Sequence, residues 1–79
     1  MLSRVLILEQ VMATLQVLGY KVLLKNYECN AGTIDFVAKK DGKFFFFGVM
    51  RHRIDVQLAS TYYRNRYGLK DVSFEEVIL

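Results

Sequence analysis

Residues 33–50 read TIDFVAKKDGKFFFFGVM. Two strand-forming runs flank Asp41-Gly42, a dipeptide suited to a two-residue hairpin turn because that turn needs positive φ at both positions. With the turn placed there, Lys40 faces Lys43, Ala38 faces Phe45 and Val37 faces Phe46, and Gly48 is expected to face Asp35. Alternation then puts Thr33, Asp35, Val37, Phe44, Phe46, Gly48 and Met50 on one face. Ile34, Phe36, Ala38, Phe45, Phe47 and Val49 fall on the other. Both faces are largely apolar, so both are expected to be covered. Four consecutive phenylalanines therefore read as a central strand buried on two sides, not as a stacking platform.

Outward from the hairpin, residues 3–18 have helical spacing, with Val5, Leu8, Met12, Leu15 and Leu18 building an apolar face. Ser3 is placed to cap this helix and Gly19 to end it. Residues 20–25 read as a short strand, and the Asn- and Gly-containing stretch 26–32 reads as a loop. A second helix fits residues 54–67, with Ile54, Leu58 and Tyr62 on one face and Gly68 at its end. Residues 70–79 complete the order αβββαβ as a last strand. This is a small α/β fold, with a mixed sheet flanked by helices. The 79 residues suffice for one small domain.

Just over half of the chain is apolar, which favours a folded core over disorder. No apolar run approaches the roughly 18 residues of a membrane span, so no membrane partner is expected. The start MLSRVLIL is short, carries a single Arg, is followed by Glu9 and Gln10 and has no small-residue cleavage site, so a signal peptide is not expected either. Cys29 is the single cysteine; it cannot form an internal disulfide and suits a reducing, cytoplasmic setting. The formal net charge is +3. Between Lys43 and Lys70 stand Lys43, Arg51, Arg53, Arg64, Arg66 and Lys70 against the lone acid Asp55. That asymmetry suits an anionic partner, most simply nucleic acid.

Asp35 is the residue whose chemistry needs explaining. A carboxylate between Ile34 and Phe36 is costly to bury unless it is paired or binds a metal. A second carboxylate opposite it and a lysine two residues further on would make a Mg²⁺ site with a charge-stabilising cation. Those places hold Gly48 and Met50.

The stretch GYKVLLKNYECNAGTIDFVAKKDGKFFFFGVMRHR, residues 19–53, resembles the YraN-like family of uncharacterised proteins in the PD-(D/E)XK restriction-endonuclease-like superfamily. Gly19, Tyr20, Leu23, Asn26, Tyr27, Gly32, Ile34, Asp35 and Ala38 match its pattern without a gap, and Phe46, Val49 and Arg53 extend the match. The resemblance implies a minimal restriction-endonuclease-like core over residues 1–79. It also implies a metal site at Asp35 with Glu9 as an accessory carboxylate, and Mg²⁺ or Mn²⁺ as cofactor if the protein is active. The departures fall on the catalytic motif: Thr33 stands where the family has a Glu, Gly48 replaces the Glu of E-x-K, and Met50 replaces its Lys. The expectation is a nuclease fold that binds nucleic acid, DNA first, without ordinary nuclease activity.

Two other readings stand beside this one. In a rearranged Mg²⁺-dependent endonuclease, acting for example on branched DNA, Arg51 or Lys43 would replace the lysine and Glu9 the carboxylate. Alternation points Arg51 to the opposite face, so that reading requires a bulge at Gly48. Alternatively, the aromatic-rich domain is a homodimeric interaction protein. For nucleic-acid contact the candidates are Lys43, Arg51, His52, Arg53, Arg64 and Arg66. His52 has no Cys or His at metal-ligand spacing and is read as a surface base or phosphate contact. The Tyr and Arg of TYYRNRY, residues 61–67, either stack on bases and touch phosphates or pack and solvate a helix.

Overall fold

A computed structural model describes residues 3–79. Its elements are α1 (Arg4–Val17), β1 (Lys21–Cys29), β2 (Gly32–Lys40), β3 (Lys43–Gly48), α2 (Val56–Tyr67) and β4 (Phe74–Ile78). The strands form one mixed sheet in the order β1-β2-β3-β4. β1 pairs with β2, and β2 with β3, in antiparallel fashion. β4 lies parallel to β3, an arrangement that needs a crossover, and α2 supplies it. This is the expected α/β class with its sheet between helices.

The hairpin follows its turn chemistry. Asp41 and Gly42 both take positive φ, 51° and 77°, and the ladder pairs Lys40 with Lys43, Ala38 with Phe45 and Val37 with Phe46. β3 is central. Phe45, Phe47 and Val49 pack with Phe36, Ala38 and Leu15 on the α1 side. Phe44 and Phe46 pack with Ile34, Val37, Ala59 and Tyr63 on the α2 side.

Ile34 is not on the expected face: it joins Val37 and Phe46 on the α2 side, and Phe36 lies on the α1 side. Alternation breaks between them, at Asp35. The β1–β2 ladder pairs Lys25 with Phe36 and Tyr27 with Ile34 but has no Asn26–Asp35 pair, and Asn26 takes a φ of 51°. A left-handed residue in one strand offsets the pleat opposite it. β1 also extends through Cys29, so most of the expected loop 26–32 is strand. Pairing with β2 overrides the turn preference of Asn26, and the register holds across it; the ladder's one register shift lies earlier, between Val22 and Leu24.

The expected face of α1 holds at Leu8, Met12 and Leu15 and fails at its two ends, whereas α2 turns by about one position. In α1, Ile7, Leu8, Val11, Met12 and Leu15 meet the sheet, whereas Val5 and Leu18 are exposed. Nearly every side of this helix is apolar, so periodicity alone does not choose the contact stripe. In α2, Ala59, Ser60 and Tyr63 are buried, and Leu58 and Tyr62 are exposed. The small pair Ala59-Ser60 lets the helix approach the aromatic sheet closely, and the buried Ser60 hydroxyl donates to the Gln57 carbonyl at 3.1 Å. The caps form as expected. Ser3 accepts from the Leu6 amide at 3.3 Å, and Gly68 ends α2 with a φ of 65°. Among the described residues no helix is long and apolar enough to cross a membrane.

Candidate functional site: a carboxylate held by two arginines

Asp35 is where the fold concentrates its polar chemistry. Its side chain is 2 % exposed, and both oxygens are occupied. Oδ1 accepts from Arg4 Nη2 at 2.7 Å. Oδ2 accepts from the Val49 amide at 2.7 Å and from Arg51 Nε at 2.9 Å. Arg4 also donates through Nη1 to the Val49 carbonyl at 2.9 Å. The first turn of α1, the middle of β2 and the segment after β3 are thus tied together at one point.

Backbone geometry explains how this comes about. The β2–β3 ladder ends at Phe36–Phe47, so the expected Gly48–Asp35 pair does not form, and Gly48 pairs with Ile78 of β4. Beyond that point the Asp35 carboxylate takes over and receives the Val49 amide directly. Met50 then adopts a φ of 54° and is 63 % exposed. It therefore does not share a face with Asp35. The same left-handed turn reverses the direction expected for Arg51 and brings its guanidinium back onto the carboxylate. No bulge at Gly48 is involved; the strand simply ends there.

The electrostatics follow from these contacts. Burial alone would raise the Asp35 carboxyl's pKa. The hydrogen bonds from Val49, Arg51 and Arg4, with the Arg4 charge, outweigh burial and hold it below the usual carboxylate range. Because the folded-state value is depressed, the stabilisation is complete above the ordinary aspartate pKa of about 3.9 and is lost as pH falls through the folded value. Urea midpoints measured from pH 7 down to pH 2 should therefore show a gap between the parent chain and Asp35→Asn that is constant at neutral pH. That gap should close only below about pH 3.9. A gap already closing near pH 6 would contradict the ion-pair assignment.

A cleft of about 250 Å³ opens beside this cluster, between α1 and the β1–β2 ladder. Its polar lining is Arg4, Glu9, Lys25, Asn26, Asp35 and Arg51, and Leu8, Met12 and Phe36 are among its apolar walls. Glu9 and Asp35 thus line one cleft. Thr33 and Met50 instead line a second depression with His52 and Arg53. Mg²⁺ or Mn²⁺ does not fit the donors present. Among the described residues no group of three or more His, Cys, Asp or Glu side chains is placed to hold a metal ion. The one buried carboxylate of the cluster already carries two guanidinium partners and an amide. An octahedral ion would have to displace them.

The other candidate basic residues are dispersed. Arg53 reaches Glu76 at 3.4 Å, and Lys43, at the hairpin end of β3, lies 4.0 Å from Glu75, away from Asp35. Arg64 donates to the Val72 carbonyl at 2.8 Å and stacks 4.8 Å from the Phe74 ring centre. Arg66 lies over Tyr67, and His52 is exposed. Tyr63 packs against Tyr27, Phe44 and Phe74, which favours the packing reading of the Tyr/Arg helix. The basic stretch from Lys43 to Lys70 is followed by Glu75 and Glu76, which β4 brings alongside β3. Arg4, Lys25 and Glu76 were missed. For Arg4 a signal existed: a buried aspartate needs a cationic partner, and Arg4 is the only arginine before residue 51.

No family model matches the chain. It is similar to a UPF0102 protein of Carboxydothermus hydrogenoformans, 43 % identical over 42 residues. The match takes in 53 % of this chain and 35 % of the relative, so the chain spans about a third of the length of the curated protein it matches.

Proposed function

We propose that this chain is a nuclease-fold nucleic-acid-binding protein related to the YraN-like, UPF0102 proteins, with residues 1–79 forming one PD-(D/E)XK-like domain that does not cleave by the usual metal-dependent route. The observation that carries this reading is the occupancy of Asp35. The carboxylate that the resemblance makes a metal ligand is engaged by Arg4, Arg51 and the Val49 amide. The partial similarity to a UPF0102 protein supports the family, and the excess of basic residues supports an anionic partner, DNA before RNA. The lone Cys29 suits a cytoplasmic location.

The test is an assay of duplex, flap and four-way-junction DNA with Mn²⁺, beside binding of the same substrates at increasing salt. Binding that weakens steeply with salt, with no cleavage, is the expected result. Metal-dependent cleavage that disappears in Asp35→Ala would overturn it in favour of the rearranged endonuclease. The placement of Glu9 and Asp35 in one cleft is the observation favouring that second reading. The exposed apolar residues Val5, Leu6 and Val17 of α1 leave room for self-association, which sedimentation of the same samples would register.

A further inference from the structure

We propose that the cleft between α1 and the β1–β2 ladder is a phosphate-binding site that works without a divalent cation. Its donors are the ammonium of Lys25 and the outer guanidinium nitrogens of Arg51. The inference rests on the nucleic-acid reading and specifies where, and by what chemistry, one phosphate is held.

Arg51 meets Asp35 through Nε only; its two η nitrogens have no hydrogen bond among the described residues. Its side chain is 36 % exposed and lines the cleft. Lys25 is exposed on β1, lines the same cleft and has no ion-pair partner among the described residues. Asp35, by contrast, has no oxygen left to offer. Arg4, Lys25, Arg51, Glu9 and Asp35 line the cleft together, a net charge of one positive unit, and Lys25 and Arg51 have donors to spare. A guanidinium whose Nε is fixed by a buried carboxylate presents its η nitrogens in a set orientation. Such an arrangement suits a planar, two-pronged contact with phosphate oxygens.

The surroundings select what accompanies the phosphate. Leu8, Met12 and Phe36 form an apolar wall, which strengthens charge-assisted hydrogen bonds beside it and can take a sugar or a base edge. At about 250 Å³ the cleft is smaller than the roughly 300–1,000 Å³ of drug-sized pockets. It therefore suits one nucleotide unit rather than a length of duplex. The buried Asp35 thereby changes role: it holds an arginine that meets the phosphate directly.

The test uses the full chain in EDTA at low salt, with fluorescently labelled single-stranded and duplex oligonucleotides. A parallel titration with a nucleoside 5′-monophosphate is followed by NMR at the Lys25 and Arg51 side chains. Lys25→Ala alters an exposed residue that makes no hydrogen bond or ion pair among the described residues, so the fold should survive. It should weaken oligonucleotide binding about tenfold, the lower end for a hydrogen bond to a charged group, and reduce the salt slope by about 0.7–0.9. Glu9→Gln should tighten binding, and EDTA should change nothing. Binding that is unaltered in both variants, or that requires Mg²⁺, would overturn the proposal. If the parent chain binds no oligonucleotide, the nucleic-acid reading fails by itself. Monophosphate shifts at Lys25 and Arg51 would then retain the site for a small phosphorylated ligand, and their absence would remove it.

Discussion

Replacing Arg4 and Arg51 together by alanine should destabilise the chain by about 3–5 kcal/mol, the usual cost of leaving a buried charge without its partners. Asp35 would keep only the Val49 amide, and its side chain is 2 % exposed. Each single variant should cost less, because the remaining guanidinium still neutralises the carboxylate. Since both arginines contact the same group, the two costs should not add; a double-mutant cycle measures the coupling. Adding Asp35→Asn to the double variant should recover part of the loss by removing the stranded charge. Urea unfolding of the five chains, the parent included, decides the matter. A double variant as stable as its parent would mean that Asp35 is neutral or that the arginines do not hold it.

Phe46→Ala should cost a comparable amount, about 3–5 kcal/mol for a phenylalanine truncated in a core. Phe46 is 1 % exposed in the central strand. It stacks on Phe74 at 5.0 Å and meets Tyr63 edge-on at 6.0 Å. Its removal would therefore loosen β3, β4 and α2 together. Domains of this length have a total stability of roughly 4–12 kcal/mol, so a loss of that size removes a large share of it and, at the low end of that range, brings the chain to its unfolding midpoint. Circular dichroism melts would show this directly. Phe44 is a useful contrast: it is 6 % exposed, at the hairpin end of the same strand, and Phe44→Ala should cost less.

What could be read from residues alone follows a physical division. The hairpin was legible because Asp41-Gly42 fixes a turn locally and the pleat propagates its register. The α/β class followed from helix punctuation at Ser3, Gly19 and Gly68. Legibility ended where long-range contacts redirect the backbone. Asn26 with its left-handed φ shifts the pleat at Asp35, and no local preference announces that it lies within a strand. Met50 with the same handedness turns Arg51 onto Asp35, against strict alternation. The apolar content of α1 hid its contact stripe, and with it the role of Arg4. Charge counting along the chain missed Glu75 and Glu76, whose proximity to Lys43 and Arg53 exists only once β4 lies beside β3.

The identity of the missing motif also acquires a physical meaning. Gly48 leaves no side chain where β3 meets Ile78; a Cβ built there would lie 3.0 Å from Ile78 Cδ1 and 3.7 Å from Arg51 Cβ. A glutamate at this position would require Ile78 to move and would border the Arg51 stem. A lysine at position 50 would begin from an exposed, left-handed backbone rather than from the Asp35 face. For these reasons Gly48→Glu/Met50→Lys, without removal of Arg51, should not create a metal-dependent nuclease.

The most direct measurement is a Mn²⁺ titration of ¹⁵N-labelled protein, observing the Val49 amide, whose N–H is bonded to Asp35 Oδ2 at 2.7 Å. With both carboxylate oxygens engaged by arginines, this resonance should neither shift nor broaden selectively as the metal reaches millimolar concentration. Saturable broadening at Val49 that disappears in Asp35→Asn would show a metal on the carboxylate, and the arginine-held site would be wrong.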